Sequence, residues 1–216
     1  MKPYYEHAGV TIYHGDCREL LPNLEPVDLV ATDPPYNAGK DYDGYSDALP
    51  DCEYEASMRI VVEEATRLAP NQAWVAPRYR LAFWLSLLPK AHLVVIRRGA
   101  MGPYRGSGWS DQFEIALAVG KTNRVSVDLW DDIRLKGEGY FFREETYGHP
   151  GYTPEPILKR FITLLSPEGG TVVDPFGGTG TTARAAKDLG RKCILIEQSE
   201  RYCEIAAKRL SQEVLL

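Results

Sequence analysis

From residue 155 onward the chain alternates between helical and strand-like patterns, and this alternation constrains the fold more than any other feature of the sequence. The pattern predicts helix 155–165, strand 171–173, helix 179–189, strand 192–196 and helix 199–210. Strands that are joined through a helix by short links run parallel, and their helices cover both faces of the sheet. The alternation therefore predicts a doubly wound α/β fold.

The same periodicities extend the sheet into the first half of the chain. Strands are predicted at 10–14, 28–32, 73–76, 93–96 and 113–119, and helices at 18–21, 53–68 and 81–88. Residues 37–50 are rich in Gly, Asp and Tyr without periodicity, which indicates a long loop. Loops of this length in a compact domain are typically functional. At 216 residues, the chain has room for one domain of this kind.

Composition argues against a membrane protein, an exported protein and a metalloprotein. Hydrophobic residues make up 44% of the chain, yet no apolar run approaches the roughly 20 residues of a membrane span. The first seven residues contain no apolar signal core, so we expect a cytoplasmic protein. Cys17, Cys52, Cys193 and Cys203 are spread singly with no histidine at metal-ligand spacing, so we expect free thiols and no metal.

Charge is distributed unevenly along the chain. The net charge of −5 by itself argues against a nucleic-acid partner, because phosphates favour a basic surface. Residues 78–143, however, contain eleven Lys and Arg against six Asp and Glu, whereas the remainder contains 14 basic and 24 acidic residues. An ordinary solvated surface produces the same asymmetry, so segment 78–143 is only a candidate for phosphate binding.

A carboxylate, two prolines and an aromatic ring, Asp33-Pro34-Pro35-Tyr36, follow the predicted strand 28–32. The carboxyl end of a strand is where open α/β sheets place their ligands. Because proline has a fixed φ and no N–H, the two prolines stiffen the turn and leave its carbonyl groups to outside donors. A carboxylate beside such a carbonyl suits an NH2 group, so the motif predicts chemistry on a flat, weakly nucleophilic amine.

A second motif, Asp174-Pro175-Phe176-Gly177-Gly178-Thr179-Gly180-Thr181-Thr182, follows strand 171–173 and opens the next helix, with threonines able to cap it. Its glycines let backbone approach a ligand, and Asp174 offers a carboxylate to a cation. Glu197 ends the following strand about twenty residues on, where a carboxylate binds ribose hydroxyls in dinucleotide-type folds. No Gly-Lys-Ser/Thr follows, and Asp174 would repel a phosphate. A cofactor with a positive charge and an adenosine fits, and S-adenosylmethionine has both.

The two motifs, in this order, resemble those of the S-adenosylmethionine-dependent amino-methyltransferases of DNA, which act on adenine N6 or cytosine N4. The catalytic motif precedes the cofactor motif, which is similar to the β subgroup, a circularly permuted form of the common methyltransferase fold. Two further blocks carry the resemblance: His14-Gly15-Asp16-Cys17, and His149-Pro150 with the helix 156–162. The resemblance covers both ends of the chain and leaves about residues 97–145 unmatched.

The resemblance implies a Rossmann-like methyltransferase fold, with a mostly parallel doubly wound sheet and an antiparallel edge strand. It implies a single domain over 1–216 with a small target-recognition insertion at about 97–145, a DNA partner and a restriction–modification setting. A homodimer is left open. The implied catalytic residues are Asp33, Pro34, Pro35 and Tyr36. The implied S-adenosylmethionine-binding residues are Asp16, Cys17, Asp33, His149, Asp174, Phe176, Gly178, Thr179, Gly180, Thr181, Thr182 and Glu197.

Hydrogen bonding explains how such a site would act on adenine, whose amine is a poor nucleophile because its lone pair is delocalised into the ring. If Asp33 and the Pro34 carbonyl each accept one N–H, the nitrogen is biased toward tetrahedral geometry and its lone pair faces the sulfonium methyl. The same carboxylate stabilises the positive charge that develops on nitrogen. Tyr36 offers a flat face for stacking on the base.

The target base must be flipped out or already unpaired, because a base inside a duplex cannot reach such a pocket. Tyr42 and Tyr45, in the loop 37–50, are candidates for a flap over the flipped base. Arg97, Arg98 and Arg105 lie among glycines and an aromatic residue, a composition suited to phosphate contact. The sequence departs from the family in having no lysine in the segment after His149-Pro150, and its middle region is short.

Several activities remain open at this point. We favour an N6-adenine DNA methyltransferase, and an N4-cytosine enzyme is the first alternative, although these more often carry Ser at the position of Asp33. Methylation of RNA or of a protein glutamine is a further alternative. A non-catalytic DNA-binding protein of the same fold is a different class, against which the intact Asp33 and Asp174 argue.

Overall fold

A mixed sheet of nine strands lies at the centre of the described structure. The computed structural model describes residues 1–97, 113–123, 126, 128–131, 149, 151 and 153–211. The strands of this sheet are β1 (Tyr5–His7), β2 (Val10–His14), β3 (Leu29–Thr32), β6 (Asn71–Ala76), β7 (His92–Arg97), β8 (Phe113–Val119), β9 (Leu129–Trp130), β10 (Thr171–Asp174) and β11 (Lys192–Glu197), and a separate hairpin pairs β4 (Asp41–Tyr42) with β5 (Tyr45–Ser46). The helices are α1 (Cys17–Leu20), α2 (Asp51–Leu68), α3 (Leu81–Leu87), α4 (Glu155–Leu165), α5 (Thr181–Asp188) and α6 (Glu200–Ser211).

The strand order is β1-β2-β11-β10-β3-β6-β8-β7-β9, and the central five strands from β2 to β6 are all parallel. The resemblance implies an antiparallel edge strand, and β1, which no periodicity predicted, has that place in the sheet. β8 is a second antiparallel strand inside the sheet. The chain leaves β3 through α2 toward β6, and it leaves the adjacent β10 through α5 toward β11. The connections therefore diverge between β3 and β10, and such a switch point opens a crevice at the carboxyl ends of the strands.

Apolar side chains bury both faces of this sheet. On one face the core includes Leu29 and Ala31 of β3 and the inward faces of α4, α5 and α6. On the other face Val30 packs with residues of α1, α2 and α3. Successive side chains of a strand point to opposite faces, so a strand that is covered on both sides reads as a continuous apolar run. This explains why every residue of Leu29–Thr32 is buried.

The predicted helices and strands of the described chain are all present, with bounds that shift by a few residues. Three short elements were not predicted: β1, β9 and the β4–β5 hairpin. The expectation that threonines cap helix α5 is wrong, because its N-cap is Gly180 in the left-handed region and makes no side-chain cap hydrogen bond. The predicted insertion at about 97–145 falls largely outside the described residues, and its described parts include β8 and β9.

The segment 37–50 is more ordered than the predicted irregular loop, because two side chains organise its backbone. Asp47 is buried, and its carboxylate accepts hydrogen bonds from the backbone N–H groups of Asn37, Ala38 and Lys40. The side chain of Asn37 pairs with both the N–H and the carbonyl of Leu49. The loop is thereby closed on itself, and it presents the β4–β5 hairpin beside the switch point.

Candidate active site

A cavity of about 600 Å³ lies at the carboxyl edge of the sheet, where the two sequence motifs meet. Asp33 follows β3, Phe176 follows β10 and Glu197 ends β11, and all three line the cavity. The β4–β5 hairpin and the start of α2 complete its wall. This volume lies within the range of cavities that hold small molecules and cofactors.

Asp33 lines the cavity, and of its two carboxylate oxygens one is hydrogen-bonded and the other has no donor among the described residues. The hydroxyl of Thr153 donates to Oδ2 at 2.5 Å. Oδ1 is buried, and no described residue donates a hydrogen bond to it. Because a buried acceptor without a partner is unfavourable, a group of this kind requires an explanation, and a ligand donor provides one.

The carbonyl groups of the proline turn are also partly engaged. The hydroxyl of Tyr54 donates to the Pro35 carbonyl, and the hydroxyl of Tyr79 donates to the Tyr36 carbonyl, both at 3.1 Å. Within the described part of the chain, no donor bonds the Pro34 carbonyl. The turn is therefore fixed by two tyrosines, while the Pro34 carbonyl is left without a donor among the described residues.

Asp174 lies behind the cavity wall and ties the two motifs together. It is only 3% exposed, and its carboxylate accepts hydrogen bonds from the hydroxyls of Thr32 at 2.6 Å and Thr182 at 2.5 Å and from the Phe176 N–H at 3.0 Å. Burial raises the pKa of Asp174 to about 6, although the three donors oppose that rise. Asp174 thus fixes the glycine turn against the end of β3, the strand that leads to Asp33.

Glu197 supports the same turn from the neighbouring strand. Its Oε2 accepts from the Gly178 N–H and its Oε1 from the Ser199 N–H, both at 2.7 Å. Burial raises the pKa of this carboxyl group, and the backbone donors act against the rise. A carboxylate has about four acceptor positions, so Glu197 retains the capacity to accept ligand hydroxyls in the cavity.

Asp16 and Cys17 form the part of the wall contributed by α1. Asp16 caps this short helix by accepting from the Arg18 N–H at 2.9 Å, and it forms an ion pair with the Arg18 guanidinium. Hydrogen bonding from Arg18 lowers the pKa of Asp16. Burial raises the pKa of the Cys17 thiol to about 12, so the thiol acts as an apolar wall group and not as a nucleophile.

His149 closes the cavity between the hairpin and the glycine turn. Its ring centroid lies 5.2 Å from that of Tyr42 and 4.7 Å from that of Tyr202. A Cβ atom at Gly178 would come within 3.1 Å of His149 Nε2, so a glycine is needed there for this approach. Burial lowers the pKa of His149, which favours a neutral imidazole near pH 7. The Ser199 hydroxyl also donates to Asp43 in the hairpin turn at 2.5 Å.

The structure brings most of the predicted site residues together and separates others. The predicted residues that line the cavity are Asp16, Cys17, Asp33, Pro35, Tyr42, Tyr45, His149, Phe176 and Glu197. Those that lie outside the lining are Pro34, Tyr36, Asp174, Gly178, Thr179, Gly180, Thr181 and Thr182. Arg97 ends β7, three strands away from β3. Arg98 and Arg105 lie outside the described residues.

Several cavity residues were missed by the sequence analysis. Thr153 and Arg18 belong to no motif. Thr153 acts on Asp33, which is 120 residues away in the chain, and Arg18 contacts both Asp16 and Ser57. The face of α2 with Glu53, Ala56 and Ile60 also lines the cavity. Ile60 was a usable signal, because it is an exposed apolar residue at helical spacing from the other two, on a face turned away from the core.

The cavity is suited to a cationic ligand that also carries hydroxyls. Asp16, Asp33 and Glu197 supply three carboxylates, and Tyr42 and Phe176 supply aromatic surface. Described residues form no cluster that could hold a metal ion, and no helix among them is long and apolar enough to cross a membrane. The chemistry of the lining therefore fits the charged, ribose-containing cofactor that the sequence predicts.

Comparison with known proteins agrees with this assignment. Residues 106–208 match the profile of the N6_N4_Mtase family, described as DNA methylase. The type II methyltransferase M.ScaI of Streptomyces caespitosus is 29% identical over 98% of this chain and 84% of its own length. The DNA adenine methyltransferase YhdJ of Escherichia coli is 27% identical over 95% of this chain and 84% of its own length.

Solved structures share the fold. A crystal structure of the M1.HpyAVI–SAM complex aligns with a TM-score of 0.71 at 21% identity and covers 94% of this chain and 100% of that chain. The cytosine-N4-specific PvuII DNA methyltransferase aligns with a TM-score of 0.77 at 20% identity and covers 100% of this chain and 91% of that chain. These likenesses confirm the predicted methyltransferase fold.

Proposed function

We propose that this chain, which belongs to the N6-adenine and N4-cytosine family of DNA methyltransferases, methylates the exocyclic N6 amine of adenine in DNA. The observation that carries the proposal is the pair of acceptors at the proline turn. Asp33 Oδ1 and the Pro34 carbonyl have no donor among the described residues, and an NH2 group has two N–H bonds to donate.

S-adenosylmethionine is the cofactor of the family, and when bound it supplies an electrophilic methyl group on a sulfonium cation. Glu197 would accept its ribose hydroxyls, and Asp16 would accept its adenine amine. The carboxylates that line the cavity favour its positive charge. His149 and Tyr42 would cover it from the hairpin side.

The catalytic work falls to the proline turn. Two hydrogen bonds from the amine, to Asp33 Oδ1 and to the Pro34 carbonyl, draw nitrogen out of conjugation and direct its lone pair into the cavity. Positive charge that develops on nitrogen is stabilised by the Asp33 carboxylate, which is fixed in advance by Thr153. Methylation makes the nitrogen more acidic, so its proton leaves after transfer and no strong base is required.

Adenine is favoured over cytosine by the first residue of the motif. Cytosine-N4 enzymes of the family more often have Ser where this chain has Asp33, and the relative YhdJ is named as an adenine methyltransferase. Cytosine N4 is the second candidate, because the structure of the cytosine-specific PvuII enzyme also aligns over the whole chain. The target base reaches the turn only when flipped out or unpaired.

Methyl transfer from labelled S-adenosylmethionine to mixed DNA and RNA, followed by nucleoside analysis, tests the proposal. We expect label in N6-methyldeoxyadenosine. Asp33→Ala should lower the transfer rate by at least about 100-fold, because it removes the acceptor aimed at the amine. The variant should still bind most of its S-adenosylmethionine, because Glu197 and Asp16, which would accept the ribose hydroxyls and the adenine amine, are unchanged.

Asp41→Ala is the matched control, because Asp41 is an exposed aspartate of the nearby hairpin. It should leave the transfer rate unchanged. Label in N4-methylcytosine would mean that cytosine, and not adenine, is the substrate. Absence of transfer to any nucleic acid would overturn the enzymatic proposal.

A further inference from the structure

We infer that Thr153 is a positioning residue for methyl transfer: it holds one oxygen of Asp33 and thereby presents the other oxygen to the substrate amine. The inference rests on the proposed function, because it assigns Thr153 a part in that reaction. Thr153 belongs to neither of the two sequence motifs. It lies 120 residues along the chain from Asp33 and meets it only in the folded structure.

The contact between the two residues is short and partly buried. Thr153 Oγ1 lies 2.5 Å from Asp33 Oδ2, and Thr153 is only 5% exposed. A hydroxyl that donates to a carboxylate forms a charge-assisted hydrogen bond, which is roughly twice as strong as a neutral one. This bond restrains rotation of the Asp33 carboxylate at the end of β3.

The position of Thr153 is itself fixed by the fold. Only Pro154, the N-cap residue of α4, separates Thr153 from the helix, and the proline ring restricts the backbone at that point. The buried residues Ile157, Leu158 and Phe161 attach this helix to the core under the sheet. Thr153 therefore lies directly before a helix that is anchored in the core, which favours a fixed position for a residue that orients a reacting group.

The hydrogen bond is made to one oxygen only, and this asymmetry is the reason for a positioning role. A second donor at Oδ1 would fill the acceptor that the amine needs, but Oδ1 is buried with no described partner. With Oδ2 held, the orientation of Oδ1 follows from the planar geometry of the carboxylate. Thr153 thus fixes which oxygen of Asp33, a residue of the cavity lining, is left for the substrate amine.

The Thr153 hydroxyl carries no charge, and this also favours a positioning role. Among the ion pairs between described residues, none includes Asp33. Asp16, in the same cavity, shows the contrast, because it is paired with the Arg18 guanidinium. A hydroxyl orients Asp33 without cancelling its negative charge, so the charge remains available to the cationic nitrogen of the transition state.

Replacement of Thr153 by Val and by Ser separates this role from a packing role. Val keeps the shape and removes the hydroxyl, whereas Ser keeps the hydroxyl and removes a methyl group. With saturating cofactor and DNA, single-turnover transfer by Thr153→Val should slow by about 10- to 100-fold, because the reacting groups lose their alignment. Thr153→Ser should retain most of the rate. Both variants should bind S-adenosylmethionine and DNA as the wild type does.

Thr163→Val is the matched control, because the Thr163 hydroxyl donates within α4 to the Lys159 carbonyl and faces no catalytic group. It should leave the transfer rate unchanged. A wild-type rate in Thr153→Val would overturn the inference, and so would an equal loss in Thr153→Ser with equally lowered thermal midpoints. Either of these results would leave the proposed function intact. If the wild type itself transfers no methyl group, the proposed function and this inference are both overturned.

Discussion

At the scale of single residues, Asp174 has two opposing effects. Its carboxylate links several parts of the site, but burial of its negative charge opposes folding. It joins Thr32, Thr182 and the glycine turn through three hydrogen bonds, so its charged form has good partners. Burial nevertheless outweighs those partners and raises its pKa to about 6. We interpret this carboxylate as a rigid support of the glycine turn. It also places a negative charge near the cavity when the pH is above its raised pKa.

The raised pKa of Asp174 predicts how the free energy of unfolding depends on pH. Below about pH 4, Asp174 is protonated in both the folded and the unfolded state, and no charge is buried. As the pH rises from about 4 to about 6, the unfolded state ionises first, so the folded state loses stability in that window. The loss should be about 3 kcal/mol, because the pKa differs by about two units between the two states.

Urea unfolding without cofactor at several pH values measures this loss, with Asp174→Asn as the reference. Titrations common to both proteins cancel in the difference between their free energies of unfolding. The wild type should therefore lose stability relative to Asp174→Asn as the pH rises through this window. A difference that is independent of pH would show that burial does not shift Asp174.

At the scale of secondary-structure elements, the glycine-rich turn contributes to helix packing. Gly180 is the N-cap of α5 with φ +85°, and a Cβ atom there would lie 3.0 Å from the Cβ of Ala206 in α6. Arg209 of α6 donates to the Thr179 carbonyl at 2.6 Å. Thr179 and Gly180, predicted as cofactor contacts, are thus occupied by the interface between the two helices.

Gly180→Ala should therefore destabilise the protein through α5 and α6. We expect a loss of about 2 to 5 kcal/mol, the sum of a left-handed backbone penalty and crowding against Ala206. Gly169→Ala is the matched control, because Gly169 has φ +72° but nothing within 4 Å of the added methyl group. It should lose only about 1 to 2 kcal/mol. Equal losses in urea unfolding would mean that Gly180 does not limit helix packing.

The elements themselves were largely predictable from the sequence, because each long helix and strand carries its own periodicity. The β4–β5 hairpin was missed, although Asp43-Gly44 between Tyr42 and Tyr45 is a strong local signal for a two-residue turn. The strands it joins have only two residues each, too short for an alternating pattern to appear. Asp47, which orders the loop, acts through backbone groups that no sequence pattern reveals.

At the scale of the whole molecule, the candidate site depends on contacts between distant parts of the chain. The motifs predicted that Asp33 and Glu197 would share one edge of the sheet, because parallel strands bring their carboxyl ends together. They did not predict Thr153 on Asp33 or Ser199 on Asp43, because such pairs depend on tertiary placement. The motifs therefore predicted the place of the cavity, whereas only the folded structure shows which residues bond Asp33 and Asp43 beside it.

The charge distribution of the whole chain bears on DNA binding. The net charge is −5, but segment 78–143 has an excess of basic residues that could contact phosphates. If Arg97, Arg98 and Arg105 contact phosphates, replacing all three with Ala should weaken DNA binding and reduce the slope of log affinity against log salt by about 3. Replacing Lys2, Lys192 and Lys208, which lie outside that segment, should leave the slope unchanged. Fluorescence anisotropy with a labelled duplex, from about 50 to about 200 mM salt, measures both slopes. Equal slopes for the arginine variant and the wild type would remove these arginines from the interface.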